Sequence, residues 1–429
     1  MTLLLICFVL FLLSGMPIAF VIGIAAFSFF ATVPFLNYQT ATQMIISQSQ
    51  SFAFLAVPFF IFAGNLMNAS GITSRLLGLA RILTRRMYGG TAQLSVLLST
   101  LMGGVSGSAT ADAAMQTRIL GPPMMKLGYS KGYICALNCT TALIVATLPP
   151  SLGLIIFGFV GEVSIARLFA AGIIPGFLMM FFLMGAAAIT TRIKNYEPPN
   201  KDIPRATLKE ILENLKESIW ALMFPILLII GIRMGLFTPS ESGAFAVIYA
   251  CFIGKFIYKE LTWPKFKEAL FTTLRDNGAI MLIIAMSGPF SYALTWVQLP
   301  VFLSSFIFGI TENPQLLVLI MLGFLFITGL FVDSNVNFLL LTPIFLPMVK
   351  SVGFDPVHFG VLMATIVTLG VMTPPVGTAM FTVCNIIECP PEEYVKESLP
   401  FFFAILLELA VLVFLPDLVL FIPNMLFGP

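Results

Sequence analysis

Charge is what this sequence has least of: 10% of its 429 residues are Asp, Glu, Lys or Arg, against 59% hydrophobic. A soluble domain carries about 25% charged and about 45–50% apolar residues. No water-soluble domain therefore fits anywhere in the chain, and no nucleic-acid partner is expected. Histidine occurs once, at His358, and the six cysteines (Cys7, Cys135, Cys139, Cys251, Cys384, Cys389) show no CxxC spacing. A zinc site and a His-based triad are not expected, and the thiols read as buried free groups. A GxxxxGK[ST] phosphate loop is also missing, which argues against ATP as an energy source. His358 is placed in an external loop, which leaves an intramembrane enzyme without its base. No segment shows the repeated polar stripe that a channel lining needs.

What the chain has is apolar length. The stretches Phe52 to Leu66, Leu168 to Thr190, Ile219 to Ile232, Ala244 to Ile257, Ile280 to Leu294 and Phe401 to Leu415 approach the ~20 residues that cross hydrocarbon. The run from Leu3 to Leu13 has no basic segment before it, and apolar sequence continues through Leu36 after one Gly-Met-Pro break at 15–17. It reads as a retained membrane helix, not a signal peptide.

Proline and glycine interrupt these stretches twice in the same way. Pro122-Pro-Met-Met-Lys-Leu-Gly128 and Leu346-Pro-Met-Val-Lys-Ser-Val-Gly353 are each followed, 21 residues past the glycine, by a Pro-Pro signal at Pro149-Pro150 and Pro374-Pro375. Matching interruptions in two halves of an apolar chain point to the binding site of a secondary transporter.

The basic residues indicate orientation, since cytoplasmic loops hold Lys and Arg in excess. Placing the sets at 75–86, 126–131, 192–216, 255–275 and Lys396 inside accommodates 18 of the 22 basic residues. Between Lys126 and Lys350 the chain then crosses five times, through Tyr133 to Val160, Leu168 to Thr190, Ile219 to Met234, Ala244 to Tyr258 and Ala279 to Trp296. An odd number puts the two repeats in opposite orientations. The expected organisation is a first inverted repeat over 1–191 with an arm helix at 72–88, a linker at 192–218, and a second repeat over 219–429. In the linker, Thr207-Leu-Lys-Glu210 resembles a capping box and opens an interfacial helix on the cytoplasmic surface. Arg75, Arg81, Arg85 and Arg86 on the arm are expected to face water or lipid phosphate.

The segments before each repeated signal carry the chemistry. Residues 94–125 read as two half-length helices around a small, polar tip at Gly103 to Asp112, and 316–350 as a second pair around Thr328 to Asn337. Both have the form of re-entrant hairpins, tolerated at membrane depth only where protein or a cavity satisfies the tip. Each is followed by a helix unwound midway, 133–160 at Thr147 to Gly153 and 358–383 at Gly370 to Gly377, where proline frees carbonyl oxygens. Such carbonyls with Ser, Thr and Asn oxygens suit Na⁺, while opposing half-helix N-termini present N–H groups to an anion. One Na⁺ is placed among Gly103, Ser106, Ser108, Thr110, Thr147, Pro149 and Gly153. A second is placed among Gly329, Asp333, Asn335, Gly370, Thr373 and Gly377. The substrate is expected between the tips, against Ser108, Asp112, Pro150, Ser334, Asn337 and Pro375. Ser106, Ser108 and Thr110 could instead serve close helix packing, and Asp112 and Asp333 could cap the half-helices that follow. The expected class is an all-α polytopic membrane protein with two inverted repeats, each holding a hairpin and an unwound helix.

Gly15-Met-Pro-Ile-Ala-Phe20, Pro58-Phe-Phe-Ile-Phe-Ala-Gly64, Gly107-Ser-Ala-Thr-Ala-Asp112, Leu148-Pro-Pro-Ser-Leu-Gly153 and Thr373-Pro-Pro-Val-Gly377 together resemble the large membrane subunit of the tripartite ATP-independent periplasmic (TRAP) transporters, over essentially the whole chain. Within that family the resemblance is to the sialic acid branch. It implies an elevator-type carrier of the ion transporter superfamily kind, in a bacterial inner membrane and coupled to the Na⁺ gradient, without ATP. It also implies a separate small four-helix membrane subunit and a periplasmic substrate-binding protein. A docking surface for the latter is expected on the external loops around Val33 to Gln48, Gly161 to Arg167 and Ser351 to His358. A C4-dicarboxylate permease of the same family, or a stand-alone dicarboxylate/sodium symporter, is the alternative.

Overall fold

The computed structural model describes residues 2–428 apart from 34, 51–54, 106, 200–205, 300, 303–304, 306–308, 310 and 312. Among the described residues there are twenty α-helices, one π-helical turn and no strand. In chain order the helices are α1 (Thr2–Leu13), α2 (Ile18–Thr32), α3 (Tyr38–Ser49), α4 (Ala56–Ala69), α5 (Ile72–Thr84), α6 (Gly90–Gly103), α7 (Ala109–Lys126), α8 (Lys131–Thr141), α9 (Leu143–Thr147) and α10 (Leu152–Val160). They continue as α11 (Ile165–Ile193), α12 (Leu208–Arg233), α13 (Pro239–Phe252) with the π-turn Ile253–Ile257, α14 (Trp263–Trp296), α15 (Pro314–Gly329), α16 (Ser334–Ser351), α17 (Pro356–Val371), α18 (Thr378–Ile387), α19 (Pro391–Phe414) and α20 (Pro416–Phe427).

The ends of these helices follow from local chemistry. Thr207 with Glu210 and Thr238 with Glu241 form reciprocal capping boxes, and Asn313, Asp333 and Asp355 accept bonds from the first free N–H groups of α15, α16 and α17. Each satisfies a donor that the helix cannot pair internally. Pro239, Pro314 and Pro356 stand in the first turn, where their missing N–H costs nothing.

Among the described residues five helices are long and apolar enough to cross a membrane, α11, α12, α19, α14 and residues 240–257, or up to seven if each of two bent pairs is one span. The bent pairs are α4 with α5, at 66°, and residues 131–147 with 152–160, at 44°. All five crossings expected between Lys126 and Lys350 fall on these elements. The linker differs from expectation in one respect. The capping box at Thr207 opens a helix that runs without interruption to Arg233, because 208–218 contains neither Gly nor Pro to stop it. The interfacial helix and the first crossing of the second half are one element, and the expected boundary at 218/219 lies inside it.

Two side-chain assignments are corrected. Arg75 and Arg85 do not face lipid phosphate: Arg75 pairs with Glu260 at 2.7 Å and lies over the Tyr258 ring, and Arg85 pairs with Glu210 at 3.0 Å. The bend after α4 lays α5 along α12 and brings Glu210 within reach of Arg85, while Glu260 comes from the turn before α14. His358 is not in a loop. The Asp355 cap starts α17 early, so His358 is buried in its first turn, with Nε2 2.9 Å from the Leu412 carbonyl and its ring stacked on Phe354.

The main apolar core runs through α4 to α20, and a smaller one joins α1, α2, α3 and the end of α14 to Val336, Leu340 and Ile344 of α16. The two hairpin tips and the two helix breaks lie inside this frame.

Candidate functional site

The first tip is built from backbone compromises. Gly107 takes φ +65°, a left-handed value that glycine adopts without strain, and a Cβ there would stand 3.1 Å from the Pro150 carbonyl oxygen. The tip thus rests on the first break. Ser108 caps α7 by accepting from Ala111 N–H at 3.4 Å, so the capping role falls to Ser108 and not to Asp112. At the break, Ser151 caps α10 and donates from Oγ to the Ala146 carbonyl at 2.5 Å. The second tip follows the same logic with other residues. Asp333 caps α16, accepting from Asn335 N–H at 2.9 Å, and Asn337 Nδ2 donates to the Val332 and Asp333 carbonyls at 2.9 and 3.3 Å. Gly329 meets the second helix break directly: a Cβ on it would lie 2.8 Å from the Val367 carbonyl oxygen and 3.1 Å from Gly370 Cα. The Pro149-Pro150 and Pro374-Pro375 bonds are both cis.

Both tips and both breaks line a single cavity of about 290 Å³. Its wall includes Gly107, Ser108 and Thr110 from the first tip, Ser151 and Gly153 from the first break, Asp333, Ser334 and Asn335 from the second tip, and Met372 and Thr378 around the second break. Four helix N-termini, those of α7, α10, α16 and α18, reach this cavity through Ala109, Leu152, Ser334 and Thr378. Each brings N–H groups that have no partner within the helix and about half a positive charge. No Lys or Arg is among the lining residues; its charged member is Asp333. A second cavity of about 80 Å³ lies across the first tip, sharing Gly107, Ser108 and Leu152 and adding Pro150, Asn65, Asn68, Phe224 and Asp276 from the break and from α4, α12 and α14.

The structure brings together Ser108, Thr110, Gly153, Asp333, Ser334 and Asn335, which the sequence had distributed over three sites. Pro150 lines the smaller cavity. Ser106 lies outside the described residues. Gly103 packs on Leu148, Thr147 and Thr373 donate to carbonyls of their own helices, Gly329 and Gly370 pack on each other, and Pro149 is buried. Gly377 opens α18 with φ +31°, and Pro375 is exposed beside it. Asp112 is buried behind the tip, accepting from Ser99 Oγ at 2.9 Å and Gln116 Nε2 at 2.7 Å.

Sequence reasoning missed the network around Asp112. Ser95 donates to Gln116 or Asn138, each at 2.8 Å, and Gln116 also bonds Ser99, so α6, α7 and α8 share one buried polar cluster. Its only sequence signal is the recurrence of polar residues at helical spacing, Ser95 and Ser99 on one helix and Asp112 and Gln116 on the next. It missed Glu197 as well, which accepts from Thr91 N–H at 2.8 Å and Tyr129 Oη at 2.8 Å and so caps α6 from the start of the linker.

Paired helix breaks and hairpin tips around a shared polar cavity, in an all-helical chain with several apolar spans, define a polytopic membrane transporter. The solved structure of the YdaH transporter of Alcanivorax borkumensis has a similar fold, with a TM-score of 0.65 at 15% identity over 96% of this chain and 97% of that one. Residues 5–418 match the model of the family described as "Tripartite ATP-independent periplasmic transporter, DctM component". The chain belongs to that family. It is 32% identical to the sialic acid TRAP transporter large permease protein SiaM of Vibrio cholerae, over 97% of each chain. It is also 32% identical to the 2,3-diketo-L-gulonate TRAP transporter large permease protein YiaN of Escherichia coli, over 95% of each. The family is one of transporter permeases, not enzymes, working with a substrate-binding protein and a small membrane subunit.

Proposed function

We propose that this chain is the large permease of a Na⁺-coupled, binding-protein-dependent uptake system for a small organic carboxylate of the sialic acid (N-acetylneuraminate) kind, in a bacterial inner membrane. The observation that carries the reading is the cavity on which four helix N-termini converge without a Lys or Arg. N-terminal N–H groups hold a carboxylate by hydrogen bonds and partial charge. Its volume, about 290 Å³, stands at the lower edge of the ~300–1,000 Å³ usual for ligand pockets. Ser108, Thr110, Ser334, Asn335 and Thr378 offer neutral partners to hydroxyl and amide groups. A dicarboxylate would bring a second charge with no cationic side chain to meet it, which favours the monocarboxylate.

Na⁺ supplies the driving force in this proposal, and the residues fit it. A hard cation takes oxygen ligands, and the cavity wall holds the Asp333 carboxylate, six hydroxyls and the Asn335 amide beside two proline-broken helices. Residues 1–191 and 219–429 act as repeats of opposite orientation, and the tips and breaks travel together as an elevator against α1 to α5 and α12 to α14. A small four-helix subunit and a periplasmic binding protein complete the system, the latter docking near 33–48, 161–167 and 351–358.

The test is uptake of labelled sialic acid into proteoliposomes holding this chain and its small subunit, with and without an inward Na⁺ gradient and the binding protein. Uptake only with both is the expected result. Uptake without the binding protein would instead identify a stand-alone symporter. Failure with sialic acid but Na⁺-driven uptake of succinate would overturn the substrate and leave the carrier.

A further inference from the structure

The three cysteines Cys135, Cys384 and Cys389 are far apart in sequence, and the fold gathers them. Their sulfur atoms all lie within 4.8 Å of one another, and all three residues are buried. Cys135 stands on α8, Cys384 on α18, and Cys389 in the turn that leads to α19. None of the three lines the transport cavity.

We propose that these thiols form a three-sulfur binding site for a soft monovalent metal ion of the Cu(I) class. The geometry suits it. Metal–sulfur bonds of ~2.3 Å in a trigonal plane set the sulfurs ~4 Å apart, inside the observed limit. Thiolate ligands select Cu(I) and Zn²⁺ over harder ions. Structural zinc is almost always four-coordinate, and no His, Asp or Glu among the described residues joins the group as a fourth ligand. Three sulfurs alone match a trigonal ion. Access comes from the nearby end of the fold, where Glu388 is exposed and Lys131 Nζ donates to its carbonyl at 3.2 Å. Lys131 also brings a positive charge to the rim. In the orientation proposed above this end is cytoplasmic, where thiols stay reduced. Binding moves no electrons: each sulfur that ligates as thiolate releases its proton to solvent, and copper remains Cu(I). The bound ion would tie α8 of the first half to α18 and the start of α19 in the second.

The experiment titrates the purified full chain in detergent with Cu(I), anaerobically, against a chromophoric Cu(I) chelator. The expected result is one equivalent withdrawn from the chelator by the wild type and by a Cys7→Ser, Cys251→Ser variant, and at least a tenfold weaker uptake by Cys135→Ala, Cys384→Ala and Cys389→Ala. X-ray absorption on the copper-loaded wild type, which depends on no variant, should show three sulfur neighbours. Uptake no greater than that of a variant lacking all three cysteines, or copper with two sulfurs or with nitrogen and oxygen neighbours, would overturn the site.

Discussion

Gly329 and Gly370 meet backbone to backbone, and neither has room for a side chain. A Cβ on Gly370 would lie 2.6 Å from Gly329 Cα, whereas one on Gly323, two turns earlier in α15, would meet nothing within 4 Å. Gly370→Ala should therefore lower thermal stability by an amount equivalent to about 1–3 kcal/mol or more, while Gly323→Ala leaves it unchanged or slightly raised, read as Tm in detergent. Asp112 is judged by its partners in the same way. Asp112→Ala strands the Ser99 and Gln116 donors and should cost ~1–3 kcal/mol. Asp112→Asn keeps an acceptor and should retain most stability and most uptake; if Asn folds normally but uptake is lost, Asp112 meets the substrate after all. Glu408 offers the opposite case, being buried with neither carboxylate oxygen partnered among the described residues. Replacing it by Leu should raise Tm, since a buried polar group without a hydrogen bond costs ~1–3 kcal/mol.

At the scale of elements, caps and breaks divide into those that neighbours in sequence supply and those that distant residues supply. The capping boxes at Thr207 and Thr238 and the Pro-Pro breaks are local patterns, and they were readable before any fold was known. The N-terminus of α6 was not. Its cap residue, Gly89, has no side chain, and Glu197, 106 residues from Thr91, does the work instead. Glu197 accepts three bonds, from Thr91 N–H, Thr91 Oγ1 and Tyr129 Oη, while Arg85 makes one bond to Glu210, whose side chain is 44% exposed. Glu197→Ala should accordingly destabilise by ~1–3 kcal/mol. Removing Arg85 should cost no more than ~1 kcal/mol, the range of surface ion pairs. Denaturation of the two variants side by side checks the order, and equal losses would mean that Glu197 is not the cap of α6.

For the whole molecule the proposed elevator makes a mechanical prediction. A Cβ on Gly104, at the first tip, would be 3.3 Å from Pro225 Cβ on α12, close to the spacing of a disulfide. Gly104→Cys with Pro225→Cys, in a Cys7→Ser, Cys251→Ser background, joins the moving part to the frame; oxidation should stop uptake and reduction restore it. Gly243→Cys with Phe59→Cys, where the same measure is 2.9 Å, joins α13 to α4 within the frame and should leave uptake intact when oxidised. Uptake that survives the first cross-link would sink the elevator while leaving the cavity in place.

Composition, run length and the spacing of Pro and Gly are properties of the chain alone, and they determined the membrane class, the helical architecture, the two hairpin tips and the two helix breaks. They could do so because each depends on interactions within a turn or two of helix, or on the thickness of hydrocarbon. Three-dimensional packing decided the rest: that both tips share one cavity, that Arg75 and Arg85 find acids and not lipid, that His358 is buried, and that three scattered thiols meet. Those outcomes join residues scores to hundreds of positions apart, and no local periodicity records which distant surfaces bury each other best.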